Sequence, residues 1–309
     1  MLIDSSVFSL VKKLKNIVFR KPFFRIMLDV TNNCNLRCPF CYNTWENVPF
    51  VTMSDALFYK AVTLAPLTWK GEFYISCSYE PTLHKDFGRL IANIPEKYAK
   101  RIQLTTNMTT QLSDELLKAL AYNGLYQVNV SIDSLIPDIY ESLRVNAKYD
   151  NFINNIGRYV TYWSSAKRRP RLNLITVVSK ANYSEIMELV RKCHDAYKPT
   201  THEIRYAYHS NANRHWLEAN NISDDDWNIL DAQLSKLPFS LHIEKPSHLS
   251  KSSKIITKFQ STFDPILSID SQGTAIVCGT DARFDLRTIE RPFELLQKSA
   301  RRIGACRPK

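Results

Sequence analysis

Up to about residue 210 the chain alternates short apolar, β-rich runs with longer stretches in which apolar residues recur every three or four positions. That alternation predicts βα units around a parallel sheet. Six units can be counted, with strands expected over 24–30, 72–77, 101–106, 127–132, 171–178 and 203–208. The intervening helices are expected over 54–64, 85–94, 113–122, 139–143 with 152–163, and 183–197. Six such units joined by right-handed crossovers make an open barrel. The fold class is therefore α/β, a partial (β/α)6 TIM-like barrel over 23–210 with a small α+β C-terminal extension over 211–309.

In the extension the alternation fails. A helix is expected over 224–237, a strand over 239–243, a polar linker over 246–253 and a helix over 292–300. Between them, 265–278 gives two apolar runs around a turn containing Gly273, the pattern of a β-hairpin. At the other end, Phe8, Val11, Leu14, Ile17 and Val18 fall at helical spacing among Lys12, Lys13, Lys15, Arg20 and Lys21. A basic amphipathic helix over 1–22 is expected to cap the barrel through its apolar stripe; peripheral contact with a membrane surface is the minority alternative.

Composition narrows this picture only a little. At 309 residues, 44% hydrophobic and 23% charged, the chain can bury a sizeable core and lacks the profile of a disordered protein. No apolar run is long enough to cross a bilayer and no secretory pattern is evident, so cytoplasmic residence is the expected default. The net charge of +11 suits nucleic acid, phosphorylated metabolites, anionic lipid or an acidic peptide without choosing among them.

Chemistry enters with three of the seven cysteines, Cys34, Cys38 and Cys41, in the loop after the first expected strand. Three close soft ligands that leave a coordination position open suit an iron–sulfur cluster. A structural zinc site would want a fourth protein ligand, and the next candidates are Cys77 and His84. A zinc knuckle and three unrelated core cysteines stand as the other readings.

The spacing CxxxCxxC, with Phe40 just before the last cysteine, resembles the motif of radical S-adenosylmethionine (radical SAM) enzymes. The resemblance implies a 4Fe-4S cluster on Cys34, Cys38 and Cys41 that binds SAM and cleaves it reductively to a 5'-deoxyadenosyl radical, which takes hydrogen from a substrate. It implies further that Phe40 packs near the adenine. Ser78-Tyr79-Glu80-Pro81, after the second strand, resembles the family's Gly-Gly-Glu-Pro loop; Glu80 and Pro81 match, and Ser78 and Tyr79 replace the glycines. By the same resemblance Asn107, Ser131 and Asp133 at strand ends, Arg144 beyond the fourth strand, and Val177 and Val178 on the fifth are candidate SAM contacts. Polar strand ends also make ordinary turns and caps. Arg205 and His209, near the end of the sixth strand, are candidates to face substrate.

The tail resembles the start of the SPASM or Twitch extension of peptide-modifying members. Cys278 and Cys306 match two positions of an auxiliary cluster, while Lys309 stands where a further cysteine is expected. The leading reading is a maturase-like radical SAM enzyme of oxidoreductase type acting on a peptide or protein, served by a one-electron donor such as flavodoxin or ferredoxin. The alternatives are a radical SAM enzyme acting on a phosphorylated sugar or nucleotide metabolite, and a non-catalytic iron–sulfur or zinc protein that binds nucleic acid.

Overall fold

The computed structural model describes residues 23–43, 49–76, 78–246, 266–278 and 283–290. The helix expected over 1–22, the helix expected over 292–300, Cys77, Cys306 and nearly all of the polar linker lie outside them.

Six βα units appear in the expected order. The strands are β1 (Arg25–Leu28), β2 (Phe73–Ile75), β3 (Ile102–Thr106), β4 (Gln127–Ser131), β5 (Arg171–Val177) and β6 (Thr201–Arg205). Between them run α1 (Asp55–Val62), α2 (Phe87–Ala92), α3 (Glu96–Ala99), α4 (Asp114–Tyr122), α5 (Pro137–Leu143), α6 (Tyr149–Ser165) and α7 (Ile186–Tyr197). The sequence accounts for the helix ends directly. Ser113 caps α4 by accepting from Leu116 N at 3.2 Å. Past β6 come α8 (Arg214–Asn220), which the hydrophobic pattern did not announce, and α9 (Asp224–Leu234), opened by a reciprocal Ser223–Asp226 capping box.

The remaining strands, β7 (Leu241–Glu244), β8 (Ile266–Ile269), β9 (Thr274–Val277) and β10 (Arg283–Asp285), join the barrel's own sheet. Its order is β10-β9-β8-β1-β2-β3-β4-β5-β6-β7, parallel from β8 through β7, with β9 and β10 antiparallel at one edge. The expected hairpin therefore forms, but its first strand lies parallel against β1. Asp270 closes its turn by accepting from Gln272 N and Thr274 N, at 2.9 and 2.8 Å. Gly273 sits there at φ +87°, and a Cβ on it would come within 2.8 Å of Leu57, so the turn is pressed onto α1.

The two faces of the sheet differ. Ile26, Leu28, Phe73, Ile75, Ile102, Leu104, Val128, Val130, Leu172 and Leu174 are fully buried and form the main core with the helices. The alternate positions point into the barrel and are mostly polar, with Ile175 and Val177 apolar near its mouth. Gln103, Gln127, Asn129 and Asn173 form a ladder of amides across β3, β4 and β5, with Asn129 donating to Gln103 Oε1 at 2.9 Å and Asn173 to Asn129 Oδ1 at 3.0 Å. This polar lumen opens at the carboxyl ends of the strands, where βα architectures place their chemistry.

Candidate functional site

At that end one cleft of about 870 Å3, its open mouth included, is lined by all three motif cysteines, Phe40, Glu80, Asn107, Ser131 and Arg144. Val177 and the β6 extension Arg205–Tyr206–Ala207–Tyr208 line its other wall.

The cysteine loop starts directly after β1 and is held from several sides. Cys41 N donates to Cys38 O at 3.0 Å, Cys34 N to Asn33 Oδ1 at 2.8 Å, and Arg37 Nη1 to Cys34 O at 2.6 Å. Asn107 Nδ2 reaches Cys34 Sγ at 3.7 Å and Asn35 Oδ1 at 3.0 Å. All three thiols are half-buried and face the cleft. Burial pushes Cys34 up to about 12, with the Glu80 charge adding to it. Cys38 rises to about 11 through burial, opposed by Arg144, and burial lifts Cys41 as well. Iron binding must therefore displace thiol protons. Among the described residues no three donor side chains converge on one ion position. Three thiols on one loop facing one cleft suit a polynuclear cluster, in which each thiolate serves its own iron. His84, the other zinc candidate, is engaged at both ring nitrogens, by Met53 O at 2.8 Å and Asp86 N at 3.2 Å. The donor set fits a 4Fe-4S cluster with one iron left for a second ligand.

Glu80 occupies the floor of the cleft, almost fully buried. Its Oε1 accepts from Thr82 N (3.2 Å), Thr82 Oγ1 (2.7 Å) and Thr106 Oγ1 (2.7 Å), and its Oε2 from Asn107 N (2.7 Å). Burial raises its pKa against the pull of these donors. The carboxylate thus clamps the β2 loop to the end of β3, with acceptor capacity left on Oε2. The same loop is tied to the cysteines: Glu80 N donates to Asn33 O at 3.0 Å, and Ser78 bonds Tyr42 and Asn43. Ser78 and Tyr79 do not take up the glycine conformation that their positions suggest. The left-handed residue is Ser76, at φ 60°, whose hydroxyl bonds Tyr79 O.

Arg144 is buried, not a surface ion-pair residue. Its Nε lies 2.6 Å from Asp133 Oδ2 and its guanidinium 5.3 Å from the centre of the Phe40 ring. Asp133 itself does not line the cleft. It is fully buried beneath Arg144, and its Oδ1 accepts from Val177 N at 2.8 Å, so it fastens β4 to β5. Val178 also lies elsewhere, packed in the main core, while Val177 joins Phe40, Ala207, Leu217 and Trp216 in an apolar patch at the cleft. Strand parity explains the exchange: β5 ends at Val177, and adjacent residues face opposite sides. Asn107 and Ser131 both line the cleft, and the Ser131 hydroxyl has no hydrogen-bond partner among the described residues. His209 is exposed outside it.

Cys278 is exposed at the end of β9. Because β9 runs antiparallel, and Cys278 N bonds Ile266 O in register with Arg25, it stands at the opposite end of the sheet from the cysteine loop. Cys193 is fully buried in α7. Residues that sequence reasoning missed include Asn213, which donates to Phe40 O and Tyr208 O, both at 2.8 Å, and Trp216, whose ring lies 5.8 Å from Phe40. Asn213 lies 173 residues from Phe40, and no local pattern marks it.

Known proteins resemble the chain over this same region. Among curated relatives, a probable GTP 3',8-cyclase of Methanocaldococcus jannaschii is 30% identical over 146 residues, 46% of this chain and 47% of that one. A GTP 3',8-cyclase of Helicobacter pylori is 29% identical over 195 residues, 61% of this chain and 56% of that one. The chain thus spans about half the length of the curated relatives it matches. Among solved structures, Streptococcus suis SuiB bound to its precursor peptide SuiA superposes with a TM-score of 0.68 over 93% of this chain and 68% of that one, at 15% identity. That likeness is one of fold. Residues 28–193, more than half of the chain, match the Radical SAM superfamily, and the span contains the cysteine loop and the cleft's first wall. The chain belongs to the radical SAM superfamily, whose enzymes use a 4Fe-4S cluster and SAM.

Proposed function

We propose that this radical SAM enzyme acts on a peptide or protein. One observation carries the reading: both cations that line the cleft among the described residues are already neutralised, Arg144 by Asp133 at 2.6 Å and Arg205 by Glu203 at 3.2 Å. A substrate with several phosphate charges would meet no unpaired guanidinium there. The tail's resemblance to the extension of peptide-modifying members supports the same reading. A second reading, a nucleotide substrate, is favoured by the relatives named GTP 3',8-cyclase.

In this proposal Cys34, Cys38 and Cys41 hold the cluster. The cluster and SAM, when bound, supply a carbon-centred radical that takes a hydrogen atom from the substrate. Glu80 Oε2 and Asn107 would orient the amino acid part of SAM, the Nη groups of Arg144 that Asp133 leaves open would receive its single carboxylate, Ser131 would offer a hydroxyl to its ribose, and Phe40 with Val177 would flank its adenine. The walls of the cleft exclude water and bystander hydrogen donors. A flavodoxin- or ferredoxin-type donor and cytoplasmic residence complete the reading. An auxiliary cluster on Cys278 and Cys306 is a separate proposal, at the far end of the sheet.

Anaerobic reconstitution tests these points. About four irons per chain means one cluster and about eight means two. The reduced enzyme should release 5'-deoxyadenosine from SAM, and Cys38→Ala should lower that rate by at least ~1000-fold, a loss of about 4 kcal/mol of barrier reduction. Deuterium should pass into 5'-deoxyadenosine from a deuterated peptide encoded beside the gene. Transfer from deuterated GTP instead would overturn the peptide reading.

A further inference from the structure

The mechanism leaves the β6 part of the cleft's far wall unused. There β6 ends in Glu203 and Arg205, two residues apart and therefore on the same, lumen-facing side of the strand. Arg205 Nη1 lies 3.2 Å from Glu203 Oε1, and both side chains are about three-quarters buried, with 27% and 20% exposed. The guanidinium also lies over the Tyr208 ring, 5.3 Å from its centre. Tyr208 donates to Glu244, at 2.8 and 3.1 Å to the two carboxylate oxygens. Arg205 Nε is buried and has no partner among the described residues. The wall thus presents one guanidinium, held at Nη1 by one carboxylate with a second behind it on Tyr208, and the other N–H donors of Arg205 are left over. A guanidinium whose charge is already compensated suits a neutral acceptor such as a carbonyl oxygen. A phosphate group needs a charge-bearing fork, and the fork here is compensated.

We propose that Glu203 is a specificity-determining residue: by holding Arg205 it excludes phosphorylated substrates from the cleft and leaves the unengaged guanidinium N–H groups of Arg205 to receive a substrate carbonyl. This inference rests on the peptide reading above and gives it a residue. Removing the Glu203 charge while keeping its shape should free the guanidinium fork and admit phosphate.

The test uses the reconstituted, SAM-saturated holoenzyme, with inorganic pyrophosphate and GTP as probes in equilibrium dialysis. Wild type should bind neither at millimolar concentration. Glu203→Gln should bind pyrophosphate at least about tenfold more tightly than wild type, a gain of about 1.4 kcal/mol. Glu203→Asp, which keeps the charge, should behave as wild type, and Glu203→Gln combined with Arg205→Gln should lose the gain. Cluster absorbance and iron content of each variant report whether it has folded. If wild type binds pyrophosphate as tightly as Glu203→Gln, the gate does not exist. Micromolar GTP binding by wild type would bring down the peptide reading along with it. If neither wild type nor a folded, cluster-loaded Glu203→Gln binds pyrophosphate, the inference about Glu203 fails while the peptide reading stands.

Discussion

The two faces of the one sheet obey different rules. On the helix side β1 to β5 contribute fully buried aliphatic and aromatic residues, Ile26, Leu28, Phe73, Leu104, Val130 and Leu174 among them. On the lumen side the alternate residues of the same strands include Tyr74, Gln103, Thr105, Asn129, Ser131 and Asn173, with the apolar Ile175 and Val177 at the mouth, and on β6 Glu203 and Arg205. Neighbouring residues on one backbone thus serve different ends, because side chains alternate with a period of two. The outer face carries stability through apolar burial. The inner face keeps its polarity at the cost of a dry core, which is understandable where a polar ligand must enter. Changes on the outer face should therefore alter stability and spare ligand binding, and changes at the mouth of the lumen should alter binding.

Asp133 strains this division most, since it stands at the rim where the faces meet. It is fully buried and carries both the Arg144 ion pair and the hydrogen bond from Val177 N. Asp133→Ala leaves a guanidinium uncompensated in the protein and should cost about 4 kcal/mol of stability in urea unfolding. SAM affinity should fall together with it. Leu104→Ala should behave differently. Its side chain is fully buried on the outer face of β3, and its loss should cost about 3 kcal/mol, with the KM for SAM within about twofold of wild type, below 0.5 kcal/mol on the tenfold-per-1.4 scale. If Leu104→Ala raised that KM as much as Asp133→Ala did, the functional separation of the two faces would be lost.

The outer face was the more legible of the two. Its apolar period announced six βα units, because helix and strand periodicities are local. The cysteine loop was legible for the same reason: Cys34, Cys38 and Cys41 lie within eight residues. The rest of the cleft depends on contacts distant in sequence. Asn213 holds Phe40 across 173 residues, and β8 reaches β1 in parallel from more than two hundred residues away. Nothing in the local pattern around 265–278 distinguishes a free hairpin from one that extends the barrel. Val177 and Val178 show a narrower difficulty. A one-residue error at the end of β5 exchanges the cleft-facing side chain for a core side chain.

His202 is a titratable residue on the outer face, beside the equally buried Thr176. It is fully buried, its Nε2 lies 2.8 Å from Thr176 Oγ1, and its ring is stacked 6.0 Å from that of His194 on α7. Burial, with the neighbouring His194 charge adding, pushes its pKa down to about 3 from the ordinary 6.5. Between those values the unfolded chain holds a proton that the folded chain refuses. This share of stability is therefore complete above pH 6.5 and is lost on acidification, by about 1.4 kcal/mol per pH unit. His202→Gln should flatten the stability profile between pH 6.5 and 4.5 by that slope, leaving whatever His194 contributes. An unchanged slope would mean that a proton reaches this imidazole in the folded state as easily as in the unfolded one.

The smallest effect expected separates backbone from side chain at the lumen mouth. Ser76, Met108 and Asn146 all take positive φ, at 60°, 53° and 76°, and they follow β2, β3 and α5 where those elements turn into the cleft. Ser76 combines this left-handed backbone with a hydroxyl that bonds Tyr79 O. Glycine would relieve the backbone and lose the bond, two terms of opposite sign and each about 1 kcal/mol or less. Ser76→Gly should therefore leave stability within about 0.5 kcal/mol of wild type, whereas Ser76→Ala, which loses the bond and keeps the strain, should cost about 1 kcal/mol. If alanine and glycine cost the same, the hydroxyl alone matters, and the loop's tolerance of Ser78 and Tyr79 in place of two glycines has another source. If glycine is the more stable of the two by about 1 kcal/mol, the loop has moved its left-handed position to Ser76, which is how it keeps Glu80 in place without the glycines.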